Sequence, residues 1–347
     1  MAGKLAKELW QKLPIWFLYF EAIGLLHFVR ANVAPEIFEE IGYPSYLFAL
    51  TTIMPLAWIF IYYAIRIARS DQVNKIAAYA GLISITLGVP VLIYVAYIWL
   101  PKYYLTKEQL RTLFEWSQFV WFFLFILHAY FVSGKSRFVT FWCICLIYGI
   151  VLENTGIITG YFSESEFKYY LWRLVAPVCT MLGWCIVFYC ATRVAEYFRD
   201  FFPSWNPSPM KMALLTTAIA LSFDAQLDPL ASLSGIWWKW HALYYSPQYI
   251  KYSFYLGVPI INYVAWFSAF LPFAYGYFWA YSHPSWGTKE LNWQLFLRLH
   301  IIVIVAGVIN FGLMAIIEGG FSGPTYQVLD EFWNRFFPYN VFWINKG

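Results

Sequence analysis

Long apolar stretches separated by short polar connections dominate the chain. A helix that crosses a bilayer needs about 20 mostly apolar residues. The stretches that approach or exceed this length are Ile15–Val29, Tyr46–Ile65, Ile76–Leu100, Leu113–Val132, Phe138–Ile158, Tyr170–Thr192, Met210–Leu227, Ser253–Tyr281 and Leu295–Ile317. The first is the weakest, because it contains Glu21 and His27. The pattern predicts an all-α fold, a polytopic transmembrane helical bundle with about eight or nine spanning helices.

The connections between these stretches are too short to separate folded domains, so we expect one bundle. The segment Ala231–Tyr252 is aromatic but dotted with polar groups, which is typical of a loop or an interfacial element. Three regions are predicted: N-terminal transmembrane helices at 1–132, which form a scaffold or an added module, a core at 133–320, and an interfacial tail at 321–347.

Composition supports a membrane location. Hydrophobic residues make up 61% of the chain and charged residues 12%, about half of the roughly 25% charged residues in a soluble domain. So little charge leaves too little polar surface to coat a soluble particle of this size. The net charge of +4 is spread over short loops and gives no indication of nucleic-acid binding. The five cysteines lie in apolar segments without zinc-ligand spacing, so we interpret them as buried thiols.

Ionisable residues inside apolar stretches are costly and therefore suggest functional sites. Glu153, Gly156 and Gly160 fall along one face of a helix at spacings of three and seven. One interpretation is a helix-packing groove with a hydrogen-bonded glutamate. The other is a carboxyl group at the floor of a cavity.

Asp224 and Asp228 form a second such feature at helical i, i+4 spacing. Pro229 disfavours α geometry at the preceding residue, which predicts that the helix ends there with Asp228 in a turn. Two close carboxylates in an apolar setting repel each other, so that one tends to keep its proton, as a general acid requires. Alternatively, Asp228 caps the following turn and Asp224 pairs with a cation.

The run Gly257–Trp266 combines glycine, proline and asparagine within an apolar stretch, which predicts a kink beside a cavity. Asn262 would there orient a substrate or a water, or hydrogen-bond the freed backbone. The chain has five histidines and none forms a histidine-rich box. The sequence therefore disfavours a membrane di-iron oxygenase.

These residues resemble the membrane-integral carotenoid biosynthesis proteins, which include the carotenoid 1,2-hydratases of the bisanhydrobacterioruberin hydratase type. The resemblance covers about 138–281. It departs at Tyr161–Glu166, where the family continues into a Phe-Gly-containing stretch. The motifs that carry it are Asp224-Ala-Gln-Leu-Asp228-Pro229, Gly235-Ile-Trp237-Trp-Lys-Trp240, Gly257-Val-Pro259-Ile-Ile-Asn262-Tyr263-Val-Ala-Trp266, and Glu153 with Gly156 and Thr159-Gly160.

The resemblance implies hydration of a terminal isoprenoid double bond. A carboxylic acid would protonate the less substituted carbon, and water would add to the resulting tertiary cation, whose charge aromatic faces stabilise. Either Asp224 or Glu153 is the acid, and the other carboxylate positions the water. The catalytic set is Asp224, Asp228 and Glu153, and the substrate-binding set is Asn262, Trp237, Trp240, Tyr263, Trp266 and Thr159.

The implied partners are a lipid-soluble isoprenoid or carotenoid substrate and the membrane lipid from which it enters. No metal and no cofactor are expected, and the protein is expected to be multi-pass in a bacterial or archaeal cytoplasmic membrane. The alternatives are a cyclase or isomerase with the same cation chemistry, a lipid- or proton-coupled transporter, and a structural subunit of a membrane complex.

Overall fold

The computed structural model describes residues 106–133, 135–158, 162–164, 166–171, 174–202, 204–234, 237–240, 253–255 and 258–282, and seven single positions outside these ranges. Its helices are α1 (Lys107–Ser133), α2 (Lys135–Ile158), α3 (Val178–Phe201), α4 (Pro209–Ser234) and α5 (Ile260–Tyr281). Its strands are β1 (Phe162–Glu164), β2 (Trp238–Trp240), β3 (Ser253–Tyr255) and β4 (Val258–Pro259). The predicted mainly helical fold is confirmed, whereas the number of spans and the limits of the three regions stay predictions.

Two short antiparallel ribbons accompany the helices, which the all-α prediction did not include. Strand β1 pairs with β2, and β3 pairs with β4. The first ribbon sets Phe162 opposite Trp240 and Glu164 opposite Trp238. Aromatic side chains favour such pleated pairs. A ribbon of three residues per strand is too short to leave a periodic signal in the sequence.

Local signals explain where two of the helices begin. Thr106 and Gln109 form a reciprocal capping box before α1, in which each backbone N–H donates to the other side chain, at 2.8 and 3.2 Å. Ser208 accepts a weak bond from the Lys211 N–H at 3.4 Å, and Pro209 follows it at the first helical position of α4.

The predicted end of the helix at Asp228 is wrong, because α4 continues through Pro229 to Ser234. A proline removes one backbone donor from the helix and crowds the turn before it. Here Asp228 is anchored by side-chain bonds to Trp238 and Asn262, and these tertiary contacts outweigh the local preference. Asp224 and Asp228 therefore share one helical face.

The prediction of a kink within a helix at Gly257–Trp266 is also wrong. This run crosses from β4 into the start of α5 at Ile260. Asn262 is consequently in the first turn of a helix rather than at a break within one. Strand β3 pairs back onto β4, so that the first part of the predicted span is a ribbon.

Helix α3 forms the centre of the described core. Phe188 of α3 stacks on Phe270 of α5 with ring centroids 4.0 Å apart, and it also contacts Phe273 and Tyr148. On another side, Tyr189 of α3 packs against Phe125 of α1. The core thus consists largely of aromatic rings, which bury much apolar area for each residue.

A group of buried polar residues lies further along α3. The Tyr189 hydroxyl oxygen is 2.6 Å from His128 Nδ1. Glu196 forms an ion pair with Arg193 and accepts a hydrogen bond from the Tyr277 hydroxyl at 3.3 Å. Since buried polar groups are costly unless they are satisfied, this network helps to fix α1, α3 and α5 against one another.

Two described helices, at Glu108–Phe131 and Val178–Asp200, are long and apolar enough to cross a bilayer, by length and composition alone. The first is largely exposed and the second largely buried. Large apolar side chains also point outward from several helices: Leu113, Trp116, Val120, Phe123, Tyr130, Ile147, Val151, Met210, Leu214, Phe267 and Tyr275. An exposed apolar surface of this extent suggests a lipid environment.

Gly149 brings α2 close to α3 and provides a test of this packing. A Cβ at position 149 would lie 2.8 Å from the Met181 carbonyl oxygen and 3.0 Å from Trp184 Cβ. Because these atoms belong to the body of α3, Gly149→Ala must push the helices apart. We expect a loss of about 1–3 kcal/mol in the free energy of unfolding, seen as a lower Tm in detergent.

Gly183 is the matched control for this prediction. A Cβ there would meet only Gln118 Oε1 at 3.6 Å, an ordinary contact. Gly183→Ala is therefore expected to leave Tm unchanged or to raise it, since alanine favours a helix by about 0.5–1 kcal/mol. Equal Tm values for both variants would contradict the close approach of α2 and α3.

Candidate active site

One amide nitrogen joins the two aspartates of α4. Asn262 Nδ2, in the first turn of α5, donates to Asp224 Oδ2 and to Asp228 Oδ2, each at 2.7 Å. All three side chains are buried. The i, i+4 spacing on α4 places the carboxyl groups one above the other, and the amide of α5 bridges them.

Asp228 has a second donor, which Asp224 lacks among the described contacts. Trp238 Nε1 of β2 donates to Asp228 Oδ1 at 2.5 Å. The Trp240 indole nitrogen also lies beside this carboxyl group, although it makes no direct hydrogen bond within the described part of the chain. Donors stabilise the ionised form of a carboxyl group, so these contacts favour Asp228 as the carboxylate of the pair.

Glu153 of α2 faces α3. Its Oε2 accepts a hydrogen bond from Trp184 Nε1 at 2.5 Å. The Trp184 ring in turn packs against Trp266, with centroids 4.7 Å apart, and Trp266 stacks on Phe270 at 5.3 Å. A carboxylate and a stack of aromatic rings are therefore joined through one indole.

Glu164 of β1 is a further carboxyl group at this place. It makes a side-chain hydrogen bond with Glu153, while the Thr180 hydroxyl is 3.5 Å from its Oε2. Burial, followed by the negative charge of Glu153, raises the pKa of Glu164 well above its usual range. Both effects favour the protonated form of the Glu164 carboxyl group.

The β1–β2 ribbon connects the two carboxyl pairs. Glu164 is the register partner of Trp238, the residue that donates to Asp228. Asp228 also lies within electrostatic range of Glu153. The carboxyl pair of α2 and β1 thus lies within electrostatic range of the pair on α4.

Two other buried side chains hold the segment that leads from β1 to α3. Asn154 Oδ1 accepts the backbone N–H groups of Val175 and Ala176 at 2.9 and 3.1 Å. Glu115 Oε1 accepts those of Lys168 and Tyr169 at 3.0 and 2.9 Å. Each side chain satisfies two backbone donors that the loop would otherwise leave unpaired, so we assign both a structural role.

The structure brings Asp224, Asp228, Glu153 and Asn262 together. Among the predicted binding residues, Trp266 belongs to the aromatic stack and Trp240 lies beside Asp228 and packs on Phe162. Trp237 is buried but packs on Phe114, with centroids 4.9 Å apart. Tyr263 is partly buried next to Asn262, and its role stays a prediction. Thr159 lies outside the described residues.

Sequence reasoning missed Trp184, Trp238 and Glu164. In a strand, alternate residues share a face, so Trp238 and Trp240 lie on the same face of β2, whereas Trp237 precedes the strand. This choice among the tryptophans could be made only once the strand was known, and the sequence did not predict a strand there. Trp184 lies within an apolar helix without a distinguishing mark, and Glu164 lies where the resemblance departs.

The site as described consists of buried groups whose chemistry suits proton transfer. It provides carboxyl groups with unequal hydrogen bonding, an amide bridge and an aromatic stack. Within the described ranges, no group of three or more His, Cys, Asp or Glu side chains has an arrangement that could hold a metal ion.

Comparison with known proteins identifies the family. The family model described as carotenoid biosynthesis protein matches residues 114–323. The match begins and ends outside the range of the sequence motifs and includes every residue of the site. A search of curated proteins and a search of solved structures each gave no match. Because the family model covers more than half of the chain, this protein belongs to the carotenoid biosynthesis protein family.

Proposed function

We propose that this protein is an integral membrane enzyme that adds water to a terminal double bond of a carotenoid or related isoprenoid. Family membership supports a role in carotenoid biosynthesis. The observation that carries the hydration chemistry is the pair Asp224 and Asp228, bridged by one buried amide.

The contacts of this pair support different roles for its two members. Asp228 accepts bonds from Asn262 and Trp238, whereas Asp224 accepts one from Asn262. Two adjacent buried carboxyl groups favour one shared negative charge. The better-solvated group, Asp228, keeps that charge, and Asp224 carries the proton as the general acid.

The reaction then follows from these groups. The Asp224 O–H bond breaks as its proton forms a C–H bond at the less substituted alkene carbon. The neighbouring carbon becomes a tertiary cation, and a water oxygen bonds to it. The Glu153 carboxylate orients that water and takes its proton. The net reaction joins one alkene and one water into a tertiary alcohol.

The aromatic stack provides the surface for the cation. Trp184 and Trp266 lie against each other beside Glu153. The face of an indole ring attracts a cation by about 0.5–2 kcal/mol, most strongly where water is excluded. The negative charges of the nearby Asp228 and Glu153 carboxylates also attract the cation.

The apolar outer surface supports a multi-pass membrane location and entry of the substrate from the lipid. Exposed side chains such as Trp116, Val120 and Phe123 lie along one stripe of α1. Carotenoids dissolve in the hydrocarbon region of a bilayer. An apolar outer surface of this kind would let a lipid-soluble substrate approach the protein from the bilayer.

The direct test is expression in a host that accumulates unhydrated carotenoids, followed by mass analysis of the pigments. Hydration adds the mass of one water, and isotopic oxygen from labelled water should appear in the product. Conversion without a change of mass would instead identify a cyclase or an isomerase. Unchanged pigments, with the protein inserted in the membrane, would overturn the enzymatic proposal and favour transport or a structural role.

Trp184→Phe should lower the hydration rate by about 10- to 100-fold. It keeps an aromatic ring beside Trp266 but removes the donor to Glu153, and a hydrogen bond to a charged group contributes about 1.5–3 kcal/mol. The rate is measured from pigment conversion at matched protein levels. Trp116→Phe, an exposed tryptophan on α1, is the control and should match the wild type. A wild-type rate for Trp184→Phe would remove Glu153 from the proposed mechanism.

A further inference from the structure

The position of β1 against α2 determines where Glu164 points. A Cβ at Gly156 would collide with the ring of Phe162, so the Phe162 ring occupies the space that the glycine leaves open. Phe162 and Glu164 are two residues apart on β1 and share a face of the strand. Glu153 is three residues before Gly156 on the same side of α2. The glycine therefore allows Glu164 to reach Glu153.

Two carboxyl groups in contact need a proton between them. Glu164 makes its side-chain bond with Glu153, and its buried Oε1 accepts no hydrogen bond from a donor in the described part of the chain. Glu153 is the better-solvated partner, because it accepts the Trp184 N–H. The pair thus holds one negative charge on Glu153 and one proton on Glu164.

The geometry points to Glu164 as a positioning residue for hydration: its carboxyl O–H donates to Glu153 and holds the Glu153 carboxylate in the orientation in which it accepts a proton from water. This inference rests on the proposed function. Glu164 acts through Glu153 and does not itself touch the reacting carbons. It also lies in the stretch where the chain departs from the family motifs.

The proton count is consistent with this role. Before the reaction, Asp224 and the Glu153–Glu164 pair carry one proton each. Asp224 gives its proton to carbon, and the pair receives one from the attacking water. Transfer of that proton back to Asp224 restores both groups, and the net change is the addition of one water.

Several other ionisable groups surround Glu164. Glu153 of α2 is in contact with it, while Tyr170, Cys179 of α3 and Glu115 of α1 are within electrostatic range of one another and of this region. Asp228 of α4 is within electrostatic range of Glu153, and Lys239 of β2 is the exposed register partner of Ser163. The carboxylates among these groups oppose ionisation of Glu164, and Glu153 has the largest electrostatic effect.

Infrared spectroscopy of the purified full-length protein in lipid vesicles tests the proton directly. Protonated carboxylic acids have a C=O stretch that shifts in D2O. We expect Glu164→Gln and Glu164→Ala each to lose one such band at neutral pH. Glu166→Gln, two residues away and exposed, should retain it. A band unchanged in both Glu164 variants would overturn the inference, whether or not the protein proves to be a hydratase.

The pH profile of hydration tests the role. The proton on Glu164 is present below its raised pKa and is lost as the pH rises through that value. In the wild type, two adjacent anions then form and activity falls. A glutamine side chain cannot ionise, so in Glu164→Gln the alkaline limb should move upward by about one pH unit or more, with a rate about tenfold lower at neutral pH. A profile that superimposes on the wild type would show a purely structural role and overturn the inference.

Discussion

Asp224→Asn should reduce the addition of water to the carotenoid by at least about 100-fold. A positioned general acid contributes about 10²–10⁴ to a rate, and an amide cannot supply the proton. The substitution is nearly isosteric, and the Asn262 N–H can still donate to the new side-chain carbonyl at the position of Asp224 Oδ2. The fold should therefore survive, and the pigments should retain the mass of the unhydrated precursor.

Asp200→Asn is the matched control, because Asp200 is exposed at the end of α3. It should give the wild-type pigment profile. If Asp224→Asn hydrates at the wild-type rate while Glu153→Gln is inactive, the acid is Glu153 and our assignment of the two roles is reversed. The two variants together thus decide between the carboxyl groups that the sequence left open.

Asn262→Leu should lower both the hydration rate and the thermal stability. The amide makes two bonds to buried carboxyl groups, and each hydrogen bond to a charged group contributes about 1.5–3 kcal/mol. Leucine leaves the pair without its bridge, so the carboxyl groups repel each other and lose their alignment. We expect a rate at least about 100-fold lower and a reduced Tm, measured on the same detergent preparation.

Ser268→Ala lies on the same helix and is the control for burial alone. The Ser268 hydroxyl donates to the Ala265 carbonyl within its own helix at 3.1 Å. Its removal should have little effect on the hydration rate. If Ser268→Ala and Asn262→Leu lost hydration rate and Tm to a similar extent, the effect would be general to polar substitutions in α5. The specific role of the amide bridge would then be contradicted.

The residues of the candidate site could be predicted from the sequence, but their contacts could not. Asp224, Asp228, Glu153 and Asn262 were predicted because polar groups in apolar stretches are costly, and the structure places them in one region. Nothing in the sequence indicated that one nitrogen of Asn262 bridges both aspartates. That arrangement depends on the packing of α4 against α5, which brings together side chains separated by more than 30 positions.

Local preferences were wrong where tertiary contacts were stronger. Pro229 predicted a helix end, yet α4 continues because Asp228 is bonded to both Trp238 and Asn262. The Gly257–Trp266 run predicted a kink, yet it begins a helix after a short strand. At Pro229, a local cost of about 3 kcal/mol is opposed by the two buried hydrogen bonds of Asp228.

By itself, the sequence determined the mainly helical class, the family and the identity of the main polar residues. These properties depend on composition, periodicity and motifs, which are local. Only the tertiary structure decided that Trp238 rather than Trp237 contacts an aspartate, that Trp184 contacts Glu153, and that Glu164 completes a second carboxyl pair. The physical reason is that donors and acceptors are matched in space: a three-residue ribbon and a helix crossing at Gly149 bring together groups that no local pattern relates.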